Sequence, residues 1–262
     1  MATNLVRRNT KILVINPNSS KRMTHGLEHG LRCMELSQST EIHTFTAPGD
    51  SPESINDGED ARTSTQVVIR ELKATNLLSQ YDAVLVACFS VHPLVGMLAE
   101  EDGEFGKLAV AGIFEASILT SLSLLRPNKK WGIVTTGKFW EEHLTEGVSR
   151  FLGTQAGERG SKFAGVETTG LNAGDFHGGL DPEVVRKKLE EATARLLDKG
   201  GVECVVMGCA GMAGLEEIIR SVAGQKYGPE DAKKVLVIDG VRAGVGLLEQ
   251  MVRNKRAFQQ TL

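Results

Sequence analysis

The chain has 262 residues, 30 Lys and Arg against 33 Asp and Glu, a formal net charge of −3 and 41% hydrophobic residues. That composition excludes a disordered chain or a membrane protein and is enough for two modest domains with buried cores. With no block of Lys or Arg, it carries no electrostatic footprint for nucleic acid or an anionic membrane.

The first residues are polar and basic, and no apolar run of signal-peptide type precedes the short segment 12–15, so a cytoplasmic location is expected. Four cysteines, Cys33, Cys88, Cys204 and Cys209, are too few for a disulfide scaffold. In a reduced compartment an important cysteine works as a thiol. The 29 glycines imply many tight turns and close backbone approaches.

Short β-branched runs alternate with stretches of helical periodicity, the pattern of βα units and parallel sheets. The runs predict strands over 11–16, 41–46, 81–88, 108–113, 130–136, 163–168, 202–208 and 235–239, with helices mostly between them. Val84 to Ala87 and Cys204 to Met207 are continuously apolar, as in strands covered on both faces.

The second half echoes the first. Lys11-Ile-Leu-Val-Ile-Asn-Pro-Asn is matched by Lys130-Trp-Gly-Ile-Val-Thr-Thr-Gly, and Val84-Leu-Val-Ala-Cys88 by Val205-Val-Met-Gly-Cys209. Leu108-Ala-Val-Ala-Gly-Ile113 is matched by Lys234-Val-Leu-Val-Ile238 at a similar offset. The expected fold is α/β with two pseudo-symmetric lobes, each a four-stranded, mainly parallel sheet flanked by helices. Residues 1–116 are expected to form the first lobe and 117–239 the second, with 240–262 assigned to the first because in related folds the last helix crosses back to it.

Cys88 and Cys209 then sit at equivalent carboxyl ends of the third strand of each lobe, where open α/β sheets bind ligands. Each precedes an expected helix start, over 94–100 and 212–223 respectively. Helix N-termini lower a thiol pKa from ~8.5 toward neutrality. Two such thiols across a cleft could remove a proton from one face of a carbon and return one to the other, with coupled titrations. The competing reading, that the cysteines are small buried hydrophobes, is preferred for Cys33, on a helix, and for Cys204, inside a strand.

Asn16-Pro-Asn-Ser-Ser20 links the first strand to a helix starting near Lys21. Helix capping suffices for Ser19 or Ser20, whereas Asn16, at the strand end, is the better ligand candidate. Thr135-Thr136-Gly137 is its counterpart and carries the same two readings. His25-Gly-Leu-Glu-His29 fits an inverted zinc-protease pattern but lacks a third ligand and reads as a solvated helix face. His92, four residues after Cys88, could be the base of a cysteine hydrolase. No phosphate-cradling glycine motif occurs. The polar stretches 48–60 and 153–179 read as long loops, the first either a lid over the cleft or a plain surface excursion.

Ile12-Leu-Val-Ile-Asn-Pro-Asn-Ser-Ser20 with Met23-Thr24, Cys88-Phe-Ser, Gly208-Cys-Ala-Gly-Met212 and Val237-Ile-Asp-Gly-Val241 resemble the hydantoin racemase family of the aspartate/glutamate racemase superfamily. Its fungal branch, linked to allantoin and nitrogen catabolism, looks most similar, over roughly residues 11–250. The resemblance implies a cofactor-independent, metal-free racemase with its active site between the lobes and Cys88 and Cys209 as opposed bases. Asn16, Phe89, Ser90, Thr135, Thr136, Ala210 and Gly211 align with segments that line the family's substrate pocket. A small-molecule substrate and a homo-oligomer are implied as well.

Where hydantoin racemases often follow the first Cys-Phe with Gly-Asp-Pro-Gly, this chain has Ser90-Val91-His92-Pro93. Cys-Asn-Thr and Thr-His, usual at the two cysteines of amino-acid racemases, are absent too. Allantoin or a 5-substituted hydantoin is therefore the expected substrate. The alternatives are an aspartate/glutamate racemase, a maleate-type cis-trans isomerase, or a two-lobed binding protein without turnover.

Overall fold

A computed structural model of the chain describes residues 9–32, 34–35, 37, 39–100, 107–154, 162–177 and 180–258. Cys33 and part of the 153–179 stretch lie outside these residues. The first half runs β1 (Thr10–Asn16), α1 (Lys21–Arg32), β2 (Thr40–Thr46), α2 (Gly58–Thr75), β3 (Ala83–Val86), α3 (Pro93–Ala99), β4 (Ala109–Gly112) and α4 (Ile113–Leu124). The second runs β5 (Lys130–Thr135), α5 (Phe139–Leu152), β6 (Phe163–Thr168), α6 (Pro182–Asp198), β7 (Val202–Met207), α7 (Glu216–Tyr227), α8 (Pro229–Ala232), β8 (Leu236–Asp239) and α9 (Gly240–Phe258).

The strands form two four-stranded sheets of the same topology, β2-β1-β3-β4 and β6-β5-β7-β8. Every pairing among the described strands is parallel. The fold is thus the expected α/β arrangement of two four-stranded sheets flanked by helices. The 153–179 stretch is not one loop: it contains β6 and a short 3-10 turn, Ala173–His177.

Period-two alternation divides the apolar side chains among three cores. Ile12, Val14 and Leu85 of the first sheet and Trp131, Ile133, Cys204 and Val206 of the second share one central cluster with α1, α4, α5 and α9. Leu13, Ile15, Val84 and Val86 point the other way, under α2 and α3. Val134, Val205 and Met207 do the same under α6 and α7. Cys204 is fully buried in the central cluster, as a core filler should be.

Helix starts follow local chemistry. Asp57 caps α2 by accepting from the Glu59 and Asp60 N–H groups, both at 2.9 Å. Asp181 caps α6, which opens on Pro182. Ser20 Oγ accepts from Met23 N–H at 3.3 Å and caps α1.

After β8 the chain returns to the first sheet, where α9 packs on β3, β4 and α4. The approach is close because Gly244 faces β3: a Cβ there would lie 2.4 Å from Leu85 Cδ1. Leu85 is itself fully buried and has little room to yield. Gly244→Val is expected to lower unfolding stability by about 1–3 kcal/mol, the usual cost of overpacking. A urea denaturation midpoint equal to that of the unsubstituted protein would contradict this packing.

Candidate active site

In each sheet the strand order reverses between two neighbours, β1 and β3 in the first and β5 and β7 in the second. Chain connections diverge at such a point and leave a crevice at the strand carboxyl ends. Loop 16–20 leaves β1 there and loop 87–92 leaves β3; 136–138 and 208–215 are their counterparts. Cys88 lies two residues beyond β3, and Cys209 two residues beyond β7.

The loop ends of the lobes meet. Helix α1 packs on the 3-10 turn Ala210–Met212. Asn56 Oδ1, on the loop before α2, accepts from the Ala173 N–H at 3.5 Å. Val91 packs so tightly on α5 that a Cβ on Gly147 would lie 2.5 Å from Val91 Cγ2.

Both thiols are partly exposed and close enough for the Cys209 charge to act on Cys88. Cys88 Sγ is 3.4 Å from the Ser90 hydroxyl. Cys209 Sγ accepts the Gly211 N–H at 3.3 Å, and the Met212 N–H also favours its charged form. Burial nonetheless pushes Cys88 up to about 12, against the Ser90 hydrogen bond and with added repulsion from Cys209. Burial likewise pushes Cys209 up to about 11, against its two backbone donors.

The expectation of thiols brought toward neutrality by helix N-termini is therefore corrected. Loss of hydration outweighs the nearby N–H groups. No α-helix begins at residue 212 either. Gly214, at φ +90°, interrupts the chain after the 3-10 turn, and α7 starts only at Glu216. On the other side, α3 opens on Pro93, which has no N–H, and His92 Nδ1 accepts the Leu94 N–H at 3.2 Å. The dipole end of α3 is thus occupied by His92.

The other expected residues divide into two groups. Ser90, Ala210 and Gly211 lie beside the thiols, with Ala210 packed against the central core that Cys88 also borders. Asn16, Phe89, Thr135 and Thr136 are buried in the loop foundations. Asn16 Nδ2 has Asn18 Oδ1 and Thr24 Oγ1 at 3.0 Å and the Ser20 carbonyl at 3.1 Å, while its Oδ1 accepts from Asn18 N–H at 3.3 Å. Phe89 stacks edge-to-face on Phe114, with ring centroids 5.6 Å apart. Thr135 Oγ1 donates to the Gly208 carbonyl at 2.5 Å, tying β5 to the residue before Cys209. The Thr136 carbonyl accepts from Gly170 N–H at 3.0 Å.

Sequence reasoning missed Thr46 and Thr169, and it named Thr24 and Met212 as motif residues without giving them a place in the site. Thr24 and Thr46 hydroxyls meet at 2.7 Å beside Asn16, and Thr169 N–H donates to the Thr135 carbonyl at 2.9 Å. Thr46 and Thr169 stand at or just after carboxyl ends of strands, a placement that marks them as loop builders. His92 is buried with both ring nitrogens engaged, and burial lowers its pKa to about 4. It is not placed as a hydrolase base.

His25 is exposed and pairs with Glu28, which also accepts from Thr44. Among the described residues no three His, Cys, Asp or Glu side chains gather to hold a metal ion, and no helix is long and apolar enough to cross a membrane. A cavity of about 890 Å³ runs along α4, β8 and α9, bordered by Leu119, Asp239, Arg242 and Leu247, and includes neither loop cysteine.

The family model described as Asp/Glu/Hydantoin racemase matches residues 12–248. An uncharacterized protein of Schizosaccharomyces pombe is 33% identical, covering 93% of this chain and 92% of that one. A hydantoin racemase of Pseudomonas sp. is 28% identical, covering 92% and 86% respectively. Among solved structures, the allantoin racemase from Pseudomonas fluorescens superposes with a TM-score of 0.72 at 26% identity, over 93% of this chain and 91% of that one.

The raised thiol pKa values make a direct prediction. In the unliganded protein, iodoacetamide should alkylate Cys88 and Cys209 more slowly than free cysteine at pH 8, with rates still climbing above pH 10. Peptide mass spectrometry of the time course reads both sites; a rate that levels off below pH 8 would contradict the desolvated pair.

Proposed function

The chain belongs to the Asp/Glu/hydantoin racemase family and is an isomerase, and on that premise we propose that it racemises hydantoin-type rings, allantoin foremost, with Cys88 and Cys209 as opposed acid and base. The observation that carries this reading is the equivalent placement of two thiols, each two residues beyond the third strand of its sheet and near enough for their charges to interact. Identity to the fission-yeast protein exceeds that to the bacterial hydantoin racemase, which sets the chain on the fungal side of the family.

A hydantoin ring carries a C–H beside a carbonyl, so its proton leaves with formation of an enolate. One cysteine acts as thiolate and takes that proton from one face. The other, as a thiol, gives its proton to the opposite face, and the charge has then moved from one sulfur to the other. No proton is gained or lost overall. The enolate oxygen is stabilised by donors already aimed at the site, for which the Ser90 hydroxyl and the backbone around Gly211 are suited.

The pair does not ionise evenly. Two backbone N–H groups serve Cys209, whereas Cys88 has one hydroxyl and feels repulsion from a charged Cys209. In this reading the first proton leaves Cys209, and its thiolate keeps Cys88 protonated. Asn16, Phe89, Thr135, Thr136 and Ala210 complete the pocket by holding its loops. Residues 1–116 with 240–262 act as one lobe and 117–239 as the other, supported by the packing of α9 on the first sheet. The family further suggests a cofactor-independent homo-oligomer.

Single-enantiomer allantoin and 5-substituted hydantoins in D2O test the proposal, with optical rotation and proton exchange followed together. The protein should racemise at least one of them. Cys88→Ser and Cys209→Ser should each lose racemisation by about 10²–10⁴-fold, retaining at most exchange on one enantiomer. No turnover of any hydantoin would overturn the substrate assignment and redirect the search to acidic amino acids and maleate. Full racemisation by either variant would remove the two-thiol mechanism.

A further inference from the structure

His92 lies on the loop that carries Cys88 and Ser90, and the two-thiol reaction gives it no chemical task. It is only 3% exposed. Leu94 N–H donates to its Nδ1 at 3.2 Å, and its Nε2 is 3.1 Å from Ser64 Oγ on α2. A backbone N–H can only donate, so Nδ1 must be bare and the ring proton sits on Nε2. That proton goes to Ser64 Oγ, because the Ser64 hydroxyl spends its own on the Ala61 carbonyl at 3.0 Å. Thr65 Oγ1, 3.4 Å from Nδ1, donates to the same carbonyl at 2.7 Å. Both ring nitrogens are therefore committed, and neither is left for Cys88 or a substrate.

This arrangement does two things for the thiol loop. As the N-cap of α3 it satisfies the Leu94 N–H, which would otherwise be buried without a partner, directly after a proline that has none to offer. Through Ser64 it ties that helix start to α2, the helix that follows the loop where Asn56 reaches Ala173 of the second lobe. The loop 88–92 is thus pinned at Phe89 by the central core and at His92 by α2.

We propose that His92 is a positioning residue: by capping α3 and bonding Ser64 of α2, its neutral imidazole fixes the loop that aims the Cys88 thiol and the Ser90 hydroxyl at the facing lobe. The proposal rests on the two-thiol reading for its catalytic consequence, but the geometry of Cys88 can be tested apart from any substrate. Protonating the ring would set a second N–H against the Leu94 N–H, and burial already disfavours the charge.

The experiment compares His92→Asn, His92→Leu and Ser64→Ala with the unsubstituted protein. Three quantities are measured: kcat and KM for racemisation, the ratio of Cys88 to Cys209 alkylation by iodoacetamide, and thermal unfolding. Asn supplies a cap acceptor for Leu94 but is too short to reach Ser64, while Leu removes both bonds. The expected order of kcat is unsubstituted, then His92→Asn, then His92→Leu, the last lower by about tenfold to a hundredfold with KM nearly unchanged. The alkylation ratio should shift in the same order, through Cys88 alone.

Unchanged kcat and an unchanged ratio in His92→Leu would overturn the proposal, as would parallel changes at both cysteines, the mark of general loosening. If His92→Leu does not fold, His92→Asn and Ser64→Ala both remove the bond to α2 while leaving an acceptor for the Leu94 N–H, and their alkylation ratios decide by the same criterion. Should the unsubstituted protein racemise no hydantoin, the substrate reading fails while the alkylation ratio still judges His92.

Discussion

A thiolate held among packed loops gives up much of its hydration, and Cys88 and Cys209 both face that penalty. Their raised pKa values follow from burial, to which repulsion from Cys209 adds at Cys88. Among the described residues the surroundings answer with donors placed at the sulfurs: a serine hydroxyl on one side, two backbone N–H groups on the other. Donors of this kind stabilise one negative charge without fixing it permanently, the condition a charge must meet if it is to pass between two sulfurs within a turnover.

That requirement shapes the loops. Backbone leaving a strand has polar groups that must be paired when buried. The loop after β1 closes on Asn16, Asn18 and Thr24, and the loop after β5 on Thr135, Thr136 and Thr169. The loop after β3 closes on His92 and Ser64. Each knot uses side chains whose hydrogen-bonding capacity is spent internally, so the sulfurs rest on a rigid frame anchored in the core shared by both sheets.

The frame was legible from local pattern. Alternation placed 163–168 on β6 at its observed ends, and 130–136 and 202–208 overran β5 and β7 by one residue. The echo of Lys11 to Asn18 in Lys130 to Gly137 corresponds to two sheets of identical strand order. What failed depended on distant contacts. Helical periodicity after Cys209 hid the positive φ of Gly214, and a helix-dipole argument for the thiols omitted the burial that overrides it. The partner of His92 lies 28 residues away on α2, and the partner of Asn56 lies 117 residues away across the lobes. Nothing in local spacing points to either.

The two halves share topology but not chemistry at the sulfur. Cys209 sits at a 3-10 turn with backbone donors, whereas Cys88 sits on a side-chain-pinned loop beside Ser90. For a reaction that interconverts enantiomers of equal free energy, the equilibrium constant is one whatever the enzyme does, so kcat/KM must be the same in both directions. Unequal thiols therefore cannot favour one enantiomer in the balance of the proposed reaction. Their inequality can emerge only in how each direction divides between kcat and KM, through the fraction of free enzyme that carries its proton on Cys88 rather than on Cys209.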